Sequence, residues 1–255
     1  MARAATTQPA FVLHSYDWSE TSLILDLFTR EQGRIAVAAK GAKRPYSQLR
    51  AVLLPFQRIQ IGLGRTAADE AGEVQTLRHA EWGGGPPTLS GAALFSGFYL
   101  NELLMKLLAR SDAHPRVFDA YAQTLPALAL GGDAEQAALR AFELLLMREL
   151  GVLPELDNVT LTGEPLQPQR LYALRAEAGV VPLPGADEAG CSGEALAALH
   201  AALQDDRLAQ LQTVCARTLP GLRVQLRGLL HYHLGSPQLR TRQVVLDLQR
   251  LLGMS

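Results

Sequence analysis

Between residues 21 and 29 (TSLILDLFT) the apolar positions Leu23, Leu25 and Leu27 recur with period two, the signature of a strand with one face turned inward. Gly33 turns the chain, and Ile35, Val37 and Ala39 then alternate with Arg34, Ala36, Ala38 and Lys40. Residues 11–14, 52–61 and 73–79 supply three further β-rich runs, set off by the turn-rich stretches 41–47 and 62–72. Five short strands in about seventy residues suit a small closed barrel of the OB type; a small β-sandwich suits the count almost as well, and periodicity does not separate them.

The pattern changes after residues 83–87 (GGGPP). Ser90 is placed to cap a helix running to about residue 110, with Leu94, Phe98, Asn101, Met105 and Leu108 along one side. Pro115 opens a second helix, to about residue 130, and Gly131 and Gly132 stop it. Asp133, with Gln136 three residues on in the manner of a capping box, opens a third, which carries Phe142, Leu145, Leu146 and Met147 to about residue 150. Residues 152–193 are irregular and rich in Pro and Gly, with a short strand pair near 170–175 and 180–183. Helices resume near residue 194, where Pro220 and Pro237 suit first turns. The expected fold class is α+β: a five-stranded OB-type β-barrel over residues 1–82, then a mostly α-helical domain over residues 88–255 with an irregular insert at about 152–193.

With 255 residues, 48% apolar and 19% charged, the chain can bury a sizeable core, which excludes the disordered and disulfide-scaffold classes. The net charge of −1 conceals an uneven distribution. Residues 30–65 carry eight basic residues against one acidic, and residues 207–255 carry seven against one. Residues 66–206 carry eight basic against twenty acidic. Two cationic blocks therefore flank an acidic middle. Two cysteines, Cys191 and Cys215, in no CxxC pair suit a reducing, cytoplasmic setting. Residues 1–10 lack the apolar core of a signal peptide, and the uncharged run 82–101 is broken by its Gly-Pro cluster, so no membrane span is expected.

The first block supplies Arg30, Arg34, Lys40, Lys43, Arg44, Arg50, Arg58 and Arg65, interleaved with Tyr16, Trp18, Phe28, Tyr46 and Phe56. Cations that neutralise phosphates, with flat rings for bases, are what single-stranded nucleic acid needs. Each residue singly is equally well read as a solvated strand position or a core ring; the block as a whole favours binding. In the second block Arg223 and Arg227 share a helical face, and Arg240 and Arg242 lie in the last helix; helix solubility is the competing reading. Arg140, one turn before Leu144, borders an apolar helical groove where a carboxylate would be clamped, against the commoner pairing with Glu143. No P-loop, GxGxxG after a strand, GxSxG or metal-spaced His/Cys cluster occurs, so neither catalysis nor a cofactor is expected.

Residues 11–56 (FVLHSYDWSETSLILDLFTREQGRIAVAAKGAKRPYSQLRAVLLPF) strongly resemble the start of the RecO family of bacterial DNA repair proteins. Residues 96–108 (SGFYLNELLMKLL), 139–151 (LRAFELLLMRELG) and 234–242 (LGSPQLRTR) are similar to later stretches of the same family, in order. The resemblance implies an N-terminal OB barrel and a helical remainder. It implies binding of ssDNA and dsDNA, annealing of complementary strands and, with RecR, loading of RecA onto DNA coated by the single-strand-binding protein SSB. It further implies capture of the acidic, Phe-ending SSB tail, for which Arg140 and Leu144 are the candidates. Many relatives carry a four-cysteine zinc site in the insert; here residues 156–165 (LDNVTLTGEP) contain no cysteine, with Val159 and Thr162 standing where a CxxC would be, so zinc is not expected. An RNA-binding OB protein and a mainly protein–protein adaptor are the alternative readings.

Overall fold

A computed structural model describes residues 7–64, 74–85, 88–185, 189–205, 207–235, 239–241, 243–244 and 247. The chain divides into two compact units, Met1–Leu125 and Pro126–Ser255.

Five strands of the first unit close into a barrel: β1 (Thr7–Asp17), β2 (Leu23–Thr29), β3 (Gly33–Ala39), β4 (Arg58–Leu63) and β5 (Val74–Trp82). Their order around the barrel is β1-β2-β3-β5-β4, and β3 and β5 are parallel while the other neighbouring pairs are antiparallel. Closure settles the choice between barrel and sandwich. The period-two residues fill the interior: Val12, Leu25, Leu27, Ile35, Val37, Ile59 and Ile61 form one buried cluster. One end is plugged by a single helical turn, α1 (Leu49–Val52), whose Leu49 and Val52 pack on that cluster. The expected strand over residues 52–61 is thus corrected: Val52 ends α1 and β4 begins only at Arg58. Pro55 lacks a ladder N–H and Phe56 takes φ +67°, so the chain cannot run extended through them.

The outer face of β1, β2 and β3 is covered as well. The helices α2 (Gly91–Leu107) and α3 (Pro115–Leu128) lie on it. Phe11 and Phe28 meet Phe118 with ring centroids 5.2 and 5.5 Å apart, and Tyr121 closes edge-on against Phe11 at 5.0 Å. The buried side of α2 is Gly97, Leu100, Asn101, Leu103 and Leu104, so Phe98 stands partly exposed instead of lining the inward stripe. Gly97 is small because Phe56 and Leu89 press on it: a β-carbon there would lie 2.8 Å from both. The turn at Gly33 is equally constrained, since at φ +66° a β-carbon would meet the carbonyl oxygen of Asp112 at 1.7 Å.

A bulge between Val12 and His14 takes the Leu13 carbonyl out of the β1–β2 ladder. Asn101 of α2, 2% exposed, donates its Nδ2 to that oxygen at 2.9 Å, and the Tyr121 hydroxyl donates to Asn101 Oδ1 at 2.5 Å. Burial holds the Tyr121 hydroxyl protonated, far above the ordinary tyrosine range. Tyr121→Phe is expected to lower stability by about 1–3 kcal/mol by leaving the buried amide oxygen without its donor, read as a lower urea midpoint at unchanged slope.

In the second unit α4 (Gly132–Glu149) is buried almost all round, as a central helix must be. Its N-cap is Gly131 without a side-chain cap bond, so the expected capping box at Asp133 and Gln136 is absent; Asp133 sits in the first turn and meets the helix dipole instead. Around α4 pack α5 (Gly193–Gln204), α6 (Leu208–Arg217) and α7 (Leu219–Leu234), with a small sheet of order β7-β6-β8 formed by β6 (Leu171–Arg175), β7 (Gly179–Pro182) and β8 (Cys191–Ser192). Gln225 of α7 extends the short β8 edge: its Oε1 accepts from the Leu174 amide at 2.8 Å and its Nε2 donates to the Ala189 carbonyl. Pro220 stands in the first turn of α7, and Pro237 lies outside the described residues.

Candidate nucleic-acid interface

The first cationic block does not form one row. Arg34 points into the structure: its guanidinium pairs with Asp26 at 3.0 Å, and its Nη1 donates to the carbonyls of Met105 and, at 3.0 Å, Leu108. Only 12% of its side chain is exposed and 2% of Asp26. The expectation that Arg34 faces phosphate is therefore corrected: helix α2, some seventy residues downstream, covers the face that local alternation leaves to solvent. Arg30 donates three hydrogen bonds to Asp119 of α3, from Nε to both carboxylate oxygens and from Nη2 to Oδ2, which raise its already high pKa. Arg58 is half-buried on β4, and Arg65 lies outside the described residues.

The remaining cations gather at the barrel end closed by α1. Lys40 follows β3, Lys43 and Arg44 occupy the next turn, and Arg50 lies on α1. The β1–β2 turn comes against them: the Lys43 amide donates to the Thr21 carbonyl at 2.9 Å, and Lys43 Nζ reaches the Ser19 carbonyl at 3.2 Å and Asp17 at 3.0 Å. That ion pair is exposed, with Asp17 78% accessible, and such pairs are worth little, so phosphate can displace the carboxylate. Among the described residues no carboxylate pairs with Lys40, Arg44 or Arg50. Arg78 of β5 is exposed too, but its side chain lies against Gly64 just after β4 and not beside Lys40.

Three rings share this end. Tyr46 is 96% exposed, Trp18 56% and Tyr16 44%. The last four residues of β1 are exposed on both faces, so the hairpin tip projects past the barrel wall. Tyr16 is braced by His14, edge-on at 4.5 Å. Phe28 and Phe56, grouped with these rings on sequence, are core residues at 0% and 4% exposure and are removed from the stacking set.

In the second unit Arg223 and Arg227 lie exposed on α7 and Arg240 is exposed, while Arg242 is outside the described residues. The Arg140–Leu144 groove is corrected. Leu144 is 0% exposed and Arg140 is 8% exposed, paired at 2.7 Å with the wholly buried Glu143. The guanidinium is held on the next turn of its own helix and the apolar neighbour is sealed. Burial pushes the Cys191 thiol up to about 11 and Cys215 higher still, so both are protonated, unreactive core thiols. Val159 is buried at 7% and Thr162 is an exposed turn residue, so this position offers no thiolate and does not fit a four-cysteine zinc site. The turn is held by hydrogen bonds instead: the Thr160 amide donates to the Val180 carbonyl at 3.1 Å, and the Val180 amide donates to Thr160 Oγ1 at 2.8 Å. No helix among the described residues is long and apolar enough to cross a membrane.

Residues 1–83 match the family model for the N-terminal part of recombination protein O, and residues 89–243 match the model for its C-terminal part. The DNA repair protein RecO of Polaromonas sp. strain JS666 is 50% identical, over 96% of this chain and 97% of its own length. The RecO proteins of Variovorax paradoxus strain S110 and Acidovorax ebreus strain TPSY are 51% and 49% identical, each over 98% of this chain and 99% of their own. With both halves matched in order and relatives of this identity over nearly the whole length, the chain belongs to the RecO family of DNA repair proteins.

Proposed function

We propose that the α1 end of the barrel binds DNA, with Lys40, Lys43, Arg44 and Arg50 on phosphates and Tyr16, Trp18 and Tyr46 stacked on unpaired bases. The observation that carries this reading is the meeting of these cations with the exposed rings of Tyr16, Trp18 and Tyr46 at one end of the barrel. The protein then acts without bond chemistry, as a cytoplasmic mediator: it binds ssDNA and dsDNA, anneals complementary strands, and with RecR helps load RecA onto SSB-coated DNA. Two strands held on a neutralised surface repel each other less, so pairing can nucleate. Arg223, Arg227, Arg240 and Arg242 extend the same role to the second unit. SSB and RecR are the protein partners in this reading. The acidic, Phe-ending tail of SSB meets apolar walls and cations at the shallow dent bounded by Leu145, Arg148, Arg207, Leu208 and Leu211, one turn along from the sealed Arg140–Leu144 pair.

Trp18→Ala and Tyr46→Ala test the stacking. Each is expected to lower affinity for a single-stranded oligonucleotide by about 1–3 kcal/mol, with duplex affinity much less affected. Equal losses on both substrates would sink the base-stacking role. Preference for RNA over DNA of the same sequence would favour the RNA-binding alternative. Annealing of SSB-coated complementary strands, with and without the SSB tail, separates the mediator from a pure adaptor: the adaptor would bind the tail and anneal nothing.

A further inference from the structure

After α4 the chain turns at Gly151 and reaches Leu156, which is sealed in the second unit at 1% exposure. With Leu156 inward, its neighbours Glu155 and Asp157 both turn out to solvent. His200 faces them from α5, beside that helix's buried stripe of Leu196, Leu199 and Leu203. Its Nδ1 lies 3.6 Å from Glu155 Oε2 and its Nε2 4.0 Å from Asp157 Oδ2. One donor atom from each residue lies within 4.8 Å of the other two. These separations are too long for hydrogen bonds. Among the described residues neither carboxylate pairs with a lysine or arginine. Two carboxylates are thus brought to one imidazole, whose Nε2 also lies 3.5 Å from Gln204 Nε2 on the next turn of α5.

We propose that Glu155, Asp157 and His200 form a site for a divalent transition-metal ion, with Zn²⁺ as the best match. One imidazole nitrogen and two carboxylate oxygens suit Zn²⁺, and also Co²⁺ or Mn²⁺, with water completing the coordination. Metal–ligand bonds of about 2.0–2.2 Å require the donors to close in by about an ångström. The carboxylates are free to do so, since the Glu155 and Asp157 side chains are 76% and 50% exposed. Asn158 Nδ2 donates to Asp157 Oδ1 at 2.7 Å, which leaves Oδ2 turned toward His200, an orienting contact of the kind that tunes metal ligands. The bound ion would neutralise both carboxylates and tie the segment after α4 to α5. This set shares no residue with Val159 and Thr162.

The test uses the full chain, untagged and stripped with chelator, titrated with ZnCl₂ by calorimetry and with CoCl₂ by visible absorption. One tight equivalent is expected, with tetrahedral Co²⁺ bands and a rise in Tm on loading. His200→Ala and Asp157→Asn are each expected to weaken that equivalent at least about tenfold while leaving the Tm of the metal-free protein unchanged. No binding, or full affinity in both variants, overturns the site. Should His200→Ala fail to fold, the exposed Asp157→Asn alone decides.

Discussion

Replacing Asp26 with alanine is expected to cost about 3–5 kcal/mol of stability, the penalty for leaving a buried partner charge uncompensated. Asp26 lies between two guanidiniums: Arg34 at 3.0 Å, itself nearly buried, and Arg110 at 3.5 Å, half exposed. On its removal Arg110 can swing into water. Arg34 cannot, because its Nη1 is held by the last carbonyls of α2. The double variant Asp26→Leu, Arg34→Met should recover most of the loss, since it leaves no charge inside. A deficit of about 1–2 kcal/mol should remain, because Arg34 also satisfies two helix-terminal carbonyls. Urea denaturation of the three proteins gives the answer; a loss below about 1 kcal/mol in the single variant would show the pair to be well solvated.

The second large effect is on DNA. Lys43→Glu with Arg44→Glu removes two of the cations proposed to meet phosphate and puts two anions near the acidic residues of the hairpin tip. Affinity for single-stranded DNA is expected to fall on the order of a hundredfold at low salt, and the slope of log K against log salt to flatten by about 1.4. Arg30→Glu is the control: Arg30 follows β2 at the other end of the barrel and is already engaged by Asp119. Its reversal should leave both quantities nearly unchanged. Fluorescence anisotropy across a salt series measures all three proteins. An unaltered affinity in the double variant, or an equal loss in the control, would place the DNA elsewhere.

Much of the architecture was legible because it is local. Period-two runs marked the barrel strands, Gly33 marked a turn that no β-carbon fits, and Pro115 opened its helix. What escaped was decided by distant parts of the chain. Arg34 alternates with Ile35 and Val37 like any solvent-facing residue, yet α2 and residues 110–112 cover it. Phe28 reads as a ring on a binding face until α3 brings Phe118 onto it. At residues 52–58 the apolar content fitted a strand, and the backbone preferences of Pro55 and Phe56 overruled it. The Arg140–Glu143 pairing was readable from helical spacing; its burial was not, because α6 and α7, which pack on α4, come much later in the sequence.

The covered outer wall of the barrel bears on how the molecule is dissected. A fragment cut just after β5 would keep all five strands yet bare Phe11, Phe28 and Asp26 to water, together with a bulge carbonyl stripped of its amide donor. Such a piece invites clumping in the test tube. A cut beyond Leu125 retains the shielding helices, and that longer piece is the one to trust for dissecting where the DNA binds.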